Sequence, residues 1–275
     1  MRTDDWAGVE LAKGTLRLWL MKGKVEIAMR EAAAGGDPVA ALQALLRPLL
    51  APGQAISVIA AGWPDVIPVP VPCRPPVPLG GRAIDPQIAL HPLPGLSQDR
   101  PADLIANPLA IAGHLFRHPD CDGVVCIPGD PTVWAHLSAG EIVSFRSFLT
   151  AELLAAVAPT DAGPVEPGQD GFGDAVHQAM SRPAGLAADL SSVRALSAAG
   201  RLEPAGALAR MAGLLIGAEL AAARPWWLGQ PVTVIGQGWL ADCYLRALAG
   251  QGVAPDQGDP ARAVLDGLCA AYPAS

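Results

Sequence analysis

The sequence lacks paired cysteines: Cys73, Cys121, Cys126, Cys243 and Cys269 are odd in number and no two form a CxxC pair. A disulfide framework and a cysteine zinc site are therefore not expected, and a reducing cytoplasm suits the chain. Charge is scarce, at 16% of residues, and its balance is acidic, with a formal net charge of −7. Nucleic-acid binding wants clustered Lys and Arg facing phosphates, so no nucleic-acid partner is expected. No apolar run approaches the ~20 residues that span a bilayer, and MRTDDWAGVE lacks the basic-then-apolar order of a signal peptide. The protein is expected to stay where it is made, with no membrane partner. No Ser-His-Asp or Cys-His arrangement points to nucleophilic hydrolysis. Half of the 275 residues are apolar, which places the chain in the soluble globular class, with enough core for two ordinary domains.

What is there is strand-rich. Val124 to Leu153 reads as three strands running into a helix: Val124 to Ile127, Thr132 to Leu137 and Glu141 to Leu149. The first turn between them, Pro128-Gly129-Asp130-Pro131, is a dense turn signal. The N-terminus repeats the plan, with strands at Trp6 to Leu11, Thr15 to Met21 and Lys24 to Arg30 around turns at Ala12-Lys13-Gly14 and Lys22-Gly23. Two β-meanders suggest two half-molecules. In each, backbone N–H groups of a turn can face an anion.

Between the meanders, Asp37-Pro38 reads as the cap and first turn of a helix to Leu50, and Ala55 to Ala61 as a buried parallel strand. Trp63 to Leu79 carries too many prolines for a central strand or a helix; an extended segment packed on its own domain is favoured over a polyproline ligand. Ile88 to Pro94 is a further strand, Gly95 to Gln98 a loop, and Pro101 to His114 a helix kinked or delayed by Pro108. His118 to Gly123 holds ligand-type side chains but reads as a plain turn, and for none of His91, His114, His118, His136 and His177 does the sequence identify a partner.

After the second meander come helices at Thr150 to Val157, Asp174 to Met180, Ala187 to Ala199 and Glu203 to Arg224, with a Gly/Pro-rich loop from Asp161 to Gly173. In the long helix Gly213 and Gly217 lie four apart, so two backbones can pack closely there; it is expected to be a buried core helix. A strand at Val232 to Ile235, a glycine turn and a helix from Trp239 to Gly250 follow, then a last helix from Ala261 to Tyr272. Gly236, Gly238 and Ala241 fit a GxGxxA pattern, with Asp256 at about the spacing of a dinucleotide fingerprint. Its lateness in the chain argues against that fold, leaving a nucleotide-contacting turn of another fold or tight packing.

Several segments resemble the 2-dehydro-3-deoxygalactonokinases. SFRSFLTAEL (Ser144 to Leu153) resembles their FRTxMTGEL stretch, MAGLLIGAEL (Met211 to Leu220) their SGLLIGAE, LPGLSQ (Leu93 to Gln98) their PGL stretch, and VTVIGQGWLADCYLRAL (Val232 to Leu248) their late strand-turn-helix. The similarity runs in the same order from about Val9 to Tyr272. It implies an α/β, two-domain, actin-like (ribonuclease-H-like) sugar kinase fold, divided into 1–114 and 115–275. It also implies ATP and Mg²⁺ as cofactors, a 2-keto-3-deoxy sugar acid as substrate, and phosphoryl transfer to its terminal hydroxyl. A homodimer is compatible with this reading.

The departures fall on the expected site. The family's DWGSTNLR turn stands here as Glu10 to Arg17, so Glu10 replaces an Asp as the carboxylate that would orient a Mg²⁺ water, and Lys13 replaces a small hydroxyl. Its RGEET stretch is Ile105-Ala106-Asn107-Pro108-Leu109, and its PGTHSKW turn is Pro128 to Trp134, where Pro131 has no N–H and Val133 replaces a Lys. The catalytic candidates are Glu10, by resemblance and also toward the metal, and Asp130, as base, because it is the one carboxylate on the second turn. Lys13, Gly14, Thr15, Gly129, Thr132, Gly236 and Gly238 are the nucleotide candidates, and Arg17 the sugar-acid candidate. Arg17 could equally pair with a carboxylate at the strand ends, and Trp134 fits a core aromatic. The alternative reading is a pseudokinase that binds a nucleotide or sugar acid, or regulates a partner.

Overall fold

The computed structural model describes residues 5–159 and 171–272. The chain divides into two compact units: one holds the chain up to Asp120 together with Gly140–Ile142 and everything from Ala261 on, the other Cys121–Ala139 and Val143–Pro260. The expected division placed the whole of 115–275 in one half; here the C-terminal helix is grouped with the N-terminal unit.

In the first unit the meander is β1 (Asp5–Ala12), β2 (Thr15–Lys22) and β3 (Val25–Ala33), followed by α1 (Pro38–Leu46) and β4 (Ile56–Ala61). Asp37 caps α1 by accepting the Ala40 N–H at 3.0 Å. The helix stops short of Leu50 because Pro48 has no N–H to continue the ladder, and Arg47–Leu49 closes it as a 3₁₀ turn. Beyond the short strand β5 (Val69–Pro70) in the proline-rich segment lie β6 (Arg82–Asp85), β7 (Ile88–Pro92), β8 (Leu96–Asp99), β9 (Ala102–Ile105) and α2 (Leu109–Arg117).

Two expectations change here. Gly95 to Gln98 is not a loop, since Leu96–Asp99 pairs with Ala102–Ile105 across the Arg100-Pro101 turn. The helix expected from Pro101 begins only at Leu109, because Pro108 stands at its N-cap and the Asn107 carboxamide oxygen accepts the Leu109 N–H at 3.0 Å.

The main sheet runs β3-β2-β1-β4-β7-β6. β1 is antiparallel to β2 and parallel to β4. It is central because DWAGVELA is apolar on both faces, and residues Trp6 to Glu10 are all buried. One face packs α1 through Leu42 and Leu46 onto Val9, Leu16, Leu18 and Val58. The other meets the C-terminal helix through Trp6, Trp19, Ile59, Leu268 and Cys269, with the Trp6 and Tyr272 rings stacked at 4.5 Å.

In the second unit the meander is β10 (Gly123–Ile127), β11 (Thr132–Ser138) and β12 (Glu141–Phe148), followed by α3 (Thr150–Val157), α4 (Phe172–Ser181), α5 (Leu186–Ala198), α6 (Pro204–Ala222) and α7 (Arg224–Trp227). The loop expected from Asp161 lies mostly outside the described residues. β13 (Val232–Ile235), α8 (Trp239–Ala249), β14 (Asp256–Gly258) and the C-terminal helix α9 (Pro260–Ala271) complete the chain. The sheet order is β12-β11-β10-β13-β14, and β13 is parallel to both β10 and β14.

That order reproduces β3-β2-β1-β4-β7 of the first unit: a meander whose first strand is the sheet's centre, then two parallel strands. It is the repeat of an actin-like fold. Asp256, counted above as the acid of a dinucleotide fingerprint, starts the edge strand β14.

Glycine fixes the helix packing in both units. A Cβ on Gly213 would come 2.5 Å from the Phe172 carbonyl oxygen, and one on Gly217 2.5 Å from that of Val176. α4 and α6 therefore meet backbone to backbone, as the Gly213/Gly217 spacing predicts. In the first unit, Cβ atoms on Gly113 and Gly267 would clash with the Ala263 and Leu109 carbonyl oxygens, so α2 and α9 meet the same way. The helix α6, Pro204–Ala222, is long and apolar enough to cross a membrane by composition, but two thirds of its apolar stretch is buried inside the protein, as a core helix requires.

Candidate functional site

The candidate residues lie about three turns: the one that follows the central strand of each sheet, and the one between β13 and α8 that holds Gly236 and Gly238. In the first unit, β1 and β2 are joined by the two-residue turn Lys13-Gly14, with Ala12 paired to Thr15. Both turn residues are left-handed, φ 50° at Lys13 and 73° at Gly14, the geometry of a type I′ hairpin; glycine accepts this freely and lysine does so at some cost. The Gly14 carbonyl takes the Ala34 N–H at 2.7 Å. Lys13 and Gly14 are exposed and Thr15 half-buried.

Glu10, near the end of β1, is buried to 8% exposure, and each of its carboxylate oxygens has a donor. Asn107 Nδ2 reaches Oε1 at 2.7 Å, and Arg17 Nη1 reaches Oε2 at 3.3 Å. Arg17 also donates through Nε to Glu31 at 2.9 Å. Its pKa is raised, first by that hydrogen bond and then by the charges of Glu10 and Glu31, against the opposing effect of burial. Arg17 thus pairs with carboxylates, the simpler of its two expected roles.

Asn107 is the residue the sequence did not expose. It occupies a position where the resembled family carries a carboxylate. One end holds Glu10 and the other caps α2, so the helix start and the catalytic candidate are fixed by the same side chain. The signal available was the Asn-Pro pair before an apolar run, which marks a helix start.

In the second unit the turn Pro128 to Pro131 follows β10. Asp130 is exposed and Gly129 half-buried. Thr132 is fully buried, and its Oγ1 accepts the Gly129 N–H at 3.4 Å and lies 3.3 Å from the Gly129 carbonyl oxygen. Its hydroxyl faces into the unit, so it holds the turn rather than offering itself to a ligand.

Gly236 is buried with both backbone groups engaged, its N–H to the Gly258 carbonyl and its C=O to Gln257 Nε2, each at 3.1 Å. A Cβ there would meet Ala241 Cβ at 3.0 Å and Pro128 Cδ at 3.3 Å. Of the two readings left open for this turn, tight packing accounts for Gly236. Gly238, left-handed at φ 78° and exposed, caps α8.

Behind that turn lies a carboxylate on no candidate list, Glu219 of α6, 3% exposed. Trp134 Nε1 and the Tyr244 hydroxyl each donate to it at 2.6 Å, and the Thr150 hydroxyl donates to the same oxygen as Tyr244. Burial pushes its carboxyl above the ordinary range, against the pull of these donors. Burial, and then the Glu219 charge, push the Tyr244 hydroxyl well up. Trp134 is a core aromatic, as expected, with a polar edge put to use.

Among the described residues no group of three or more His, Cys, Asp or Glu could hold a metal ion, and the five cysteines form no disulfide. A Mg²⁺ held by nucleotide phosphates and one carboxylate through water needs no such group. The donor chemistry of Glu10 fits that role, since each oxygen has one donor and retains a second lone pair.

Comparison with known proteins gives these arrangements a family. A family model described as 2-keto-3-deoxy-galactonokinase matches residues 13–271. A protein of Rhizobium meliloti (strain 1021) named "Probable 2-dehydro-3-deoxygalactonokinase DgoK1" is 28% identical, over 97% of this chain and 96% of its own. A crystal structure from Sinorhizobium meliloti, titled as that of "a putative 2-dehydro-3-deoxygalactonokinase protein", superposes with a TM-score of 0.87 at 27% identity, covering 97% of this chain and 95% of that one. The pseudokinase alternative is not favoured by these likenesses, all of which carry a kinase's name. With the resembling motifs, the repeated strand order and a match across both sheets in agreement, the chain belongs to the 2-keto-3-deoxy-galactonokinase family and has its actin-like sugar kinase fold.

Proposed function

We propose that the protein transfers the γ-phosphoryl group of MgATP to the terminal hydroxyl of a 2-keto-3-deoxy sugar acid. The observation that carries this reading is the family match over residues 13–271, which begins at the Lys13-Gly14 turn just after β1 and includes both turns and the second unit's central strand, β10. Phosphoryl transfer rests almost wholly on positioning and on neutralising charge spread over the transferred oxygens. The chain has parts suited to each task.

Glu10, held by Asn107 and Arg17, would orient the water shell of Mg²⁺; the metal, when bound with the nucleotide, neutralises phosphate charge. Lys13 brings an exposed cation to the first turn, and the Gly14 and Thr15 amides belong to the same hairpin. Gly129 belongs to the second turn, which Thr132 braces from inside. Asp130, exposed on that turn, is the candidate base for the sugar hydroxyl proton, and Gly238 the candidate contact toward the adenine. Arg17, with two carboxylate partners, is assigned to orienting Glu10 rather than to the sugar acid.

The test is a coupled assay of ADP release with MgATP and 2-keto-3-deoxygalactonate. Saturable release that needs the sugar acid is expected, with phosphate recovered on its terminal carbon. No sugar-dependent release at millimolar substrate overturns the proposal.

A further inference from the structure

Glu219 has no part in the roles assigned above, yet among the described residues it is the most deeply placed carboxylate in its unit. It stands on α6, where its neighbours Met211 to Leu220 are otherwise apolar and, apart from the half-buried Ala218, buried. Burying a carboxylate is costly unless donors surround it. Here three elements supply them: β11 through Trp134, α3 through Thr150 and α8 through Tyr244. A carboxylate only accepts, so Tyr244 must spend its one proton on Glu219. Its oxygen is then an acceptor toward Thr132 Oγ1 at 3.1 Å. The Thr132 hydroxyl proton has two acceptors in reach, that oxygen and the Gly129 carbonyl oxygen at 3.3 Å, and with either one Oγ1 accepts the Gly129 N–H. The buried carboxylate fixes the direction of the Tyr244 hydrogen bond, and the Thr132 hydroxyl links Tyr244 to both backbone groups of Gly129.

We propose that Glu219, Tyr244 and Thr132 form a positioning relay that holds the Gly129 turn in the form that receives nucleotide phosphates. The relay rests on the kinase reading for its ligand, but its grip on the turn is a property of the unliganded chain. Trp134 and Thr150 satisfy the same carboxylate without touching the turn. They stabilise the hub and do not transmit to Gly129. Cys126 on β10 is the other titratable group beside this hub; burial and the Glu219 charge push its thiol well up, so it stays neutral and does not compete for the donors.

The experiment separates transmission from support. Tyr244→Phe and Thr132→Val each cut the relay at nearly constant volume. Thr132→Ser keeps the hydroxyl, and Thr150→Val removes a donor from Glu219 off the route. Three readouts are taken: melting temperature, amide exchange of Gly129 in the nucleotide-free protein, and KM for MgATP against kcat in the coupled assay.

Tyr244→Phe and Thr132→Val are expected to speed Gly129 exchange and raise KM for MgATP about tenfold, the scale of one lost hydrogen bond of this kind. The double variant should add little to either single one, and Thr132→Ser should restore both readouts. Thr150→Val should lower the melting temperature while leaving Gly129 exchange and KM within about twofold. Equal effects of all three single variants on KM, or a fall in melting temperature with Gly129 exchange unchanged in Tyr244→Phe and Thr132→Val, would overturn the relay. If the native protein releases no ADP, the kinase reading fails while the exchange measurement still decides whether the turn is held in this way.

Discussion

The two sheets share a strand order, and each sends its central strand into a turn that carries candidate site residues, but the turns are braced by opposite means. At the first, Glu10, Arg17 and Glu31 form a row of ion pairs, with Arg17 and Glu31 each about half exposed, and Asn107 closes the buried end. At the second, one deeply buried carboxylate is met by neutral donors only. Exposed pairs are screened and contribute little to stability, so the first arrangement is a way of orienting Glu10 rather than of holding the fold. In the low-dielectric interior a satisfied network is rigid and an unsatisfied one is costly, so the second arrangement fixes a shape. The difference teaches that a repeated topology does not carry a repeated chemistry: the first turn presents charge and the second is held in form.

The largest test of that contrast is at Glu10. Glu10→Gln keeps a polar group beside Asn107 and Arg17 but removes the charge, and kcat for phosphoryl transfer is expected to fall about 10³-fold, or roughly 4 kcal/mol. The melting temperature should move little. An unchanged kcat would remove Glu10 from the chemistry and leave the first turn as mere structure.

Next come the glycine contacts that assemble the helices. Gly213→Val in α6 forces a side chain onto the Phe172 carbonyl, and urea unfolding should show a loss of about 3 kcal/mol. Gly113→Val, at the matching contact of α2 with α9, should cost a similar amount. A marked difference between them would show that the two units tolerate overpacking differently.

The buried carboxylate predicts a sign for pH dependence. Glu219 has a raised pKa in the folded chain, so between the unfolded value near 4.5 and the folded one the native state binds more protons, and this group's contribution to stability falls as pH rises. Glu219→Gln should flatten that part of the stability profile above pH ~4.5, measured as the wild-type minus variant difference in urea midpoint. A difference that grows in the opposite direction would mean the three donors outweigh burial.

A smaller effect is expected at Asp266 of α9, which accepts from both Arg117 and Arg262 at 4% exposure. Asp266→Asn should cost about 1–2 kcal/mol in urea unfolding, because both arginines are half exposed and can return to water. The smallest is Lys13→Ala, with KM for MgATP raised a few-fold, or about 0.5–1 kcal/mol, and stability unaltered, since an exposed ammonium acts mainly through screened attraction. No change in KM would shift the charge at the first turn to other groups.

Much of the fold was legible because it rests on local signals. Apolar runs with turn residues between them marked both meanders, Asp37-Pro38 marked the start of α1, and Gly213 with Gly217 marked the face of a buried helix. The errors have local causes too. Gly95 to Gln98 reads as a loop because its glycine and polar residues outweigh the single buried Leu96. The segment after Pro101 reads as a helix because Ile105 lies four residues before Leu109 and Leu104 seven before Ile111. A four-residue strand before a proline-delayed helix offers the same apolar pattern.

The site was legible only in part. Glu10, Lys13 and the glycine turns stand out through the family pattern. Asn107 and Glu219 do not: Asn107 sits 97 residues from the carboxylate it holds, and Glu219 sits 85 and 69 residues from its Trp134 and Thr150 donors. The available hint, a carboxylate alone in the apolar run MAGLLIGAEL, says that a partner must exist but not which one.

The sequence by itself determined the family, the two meanders, the Asp37 cap of α1 and the Gly213/Gly217 face of α6, because each depends on residues within a few positions of one another or on a motif kept in order. Only the tertiary structure decided which donors meet the buried carboxylates. A hydrogen bond is satisfied by distance and direction, and chain separation carries no information about either once the sheets and helices have packed.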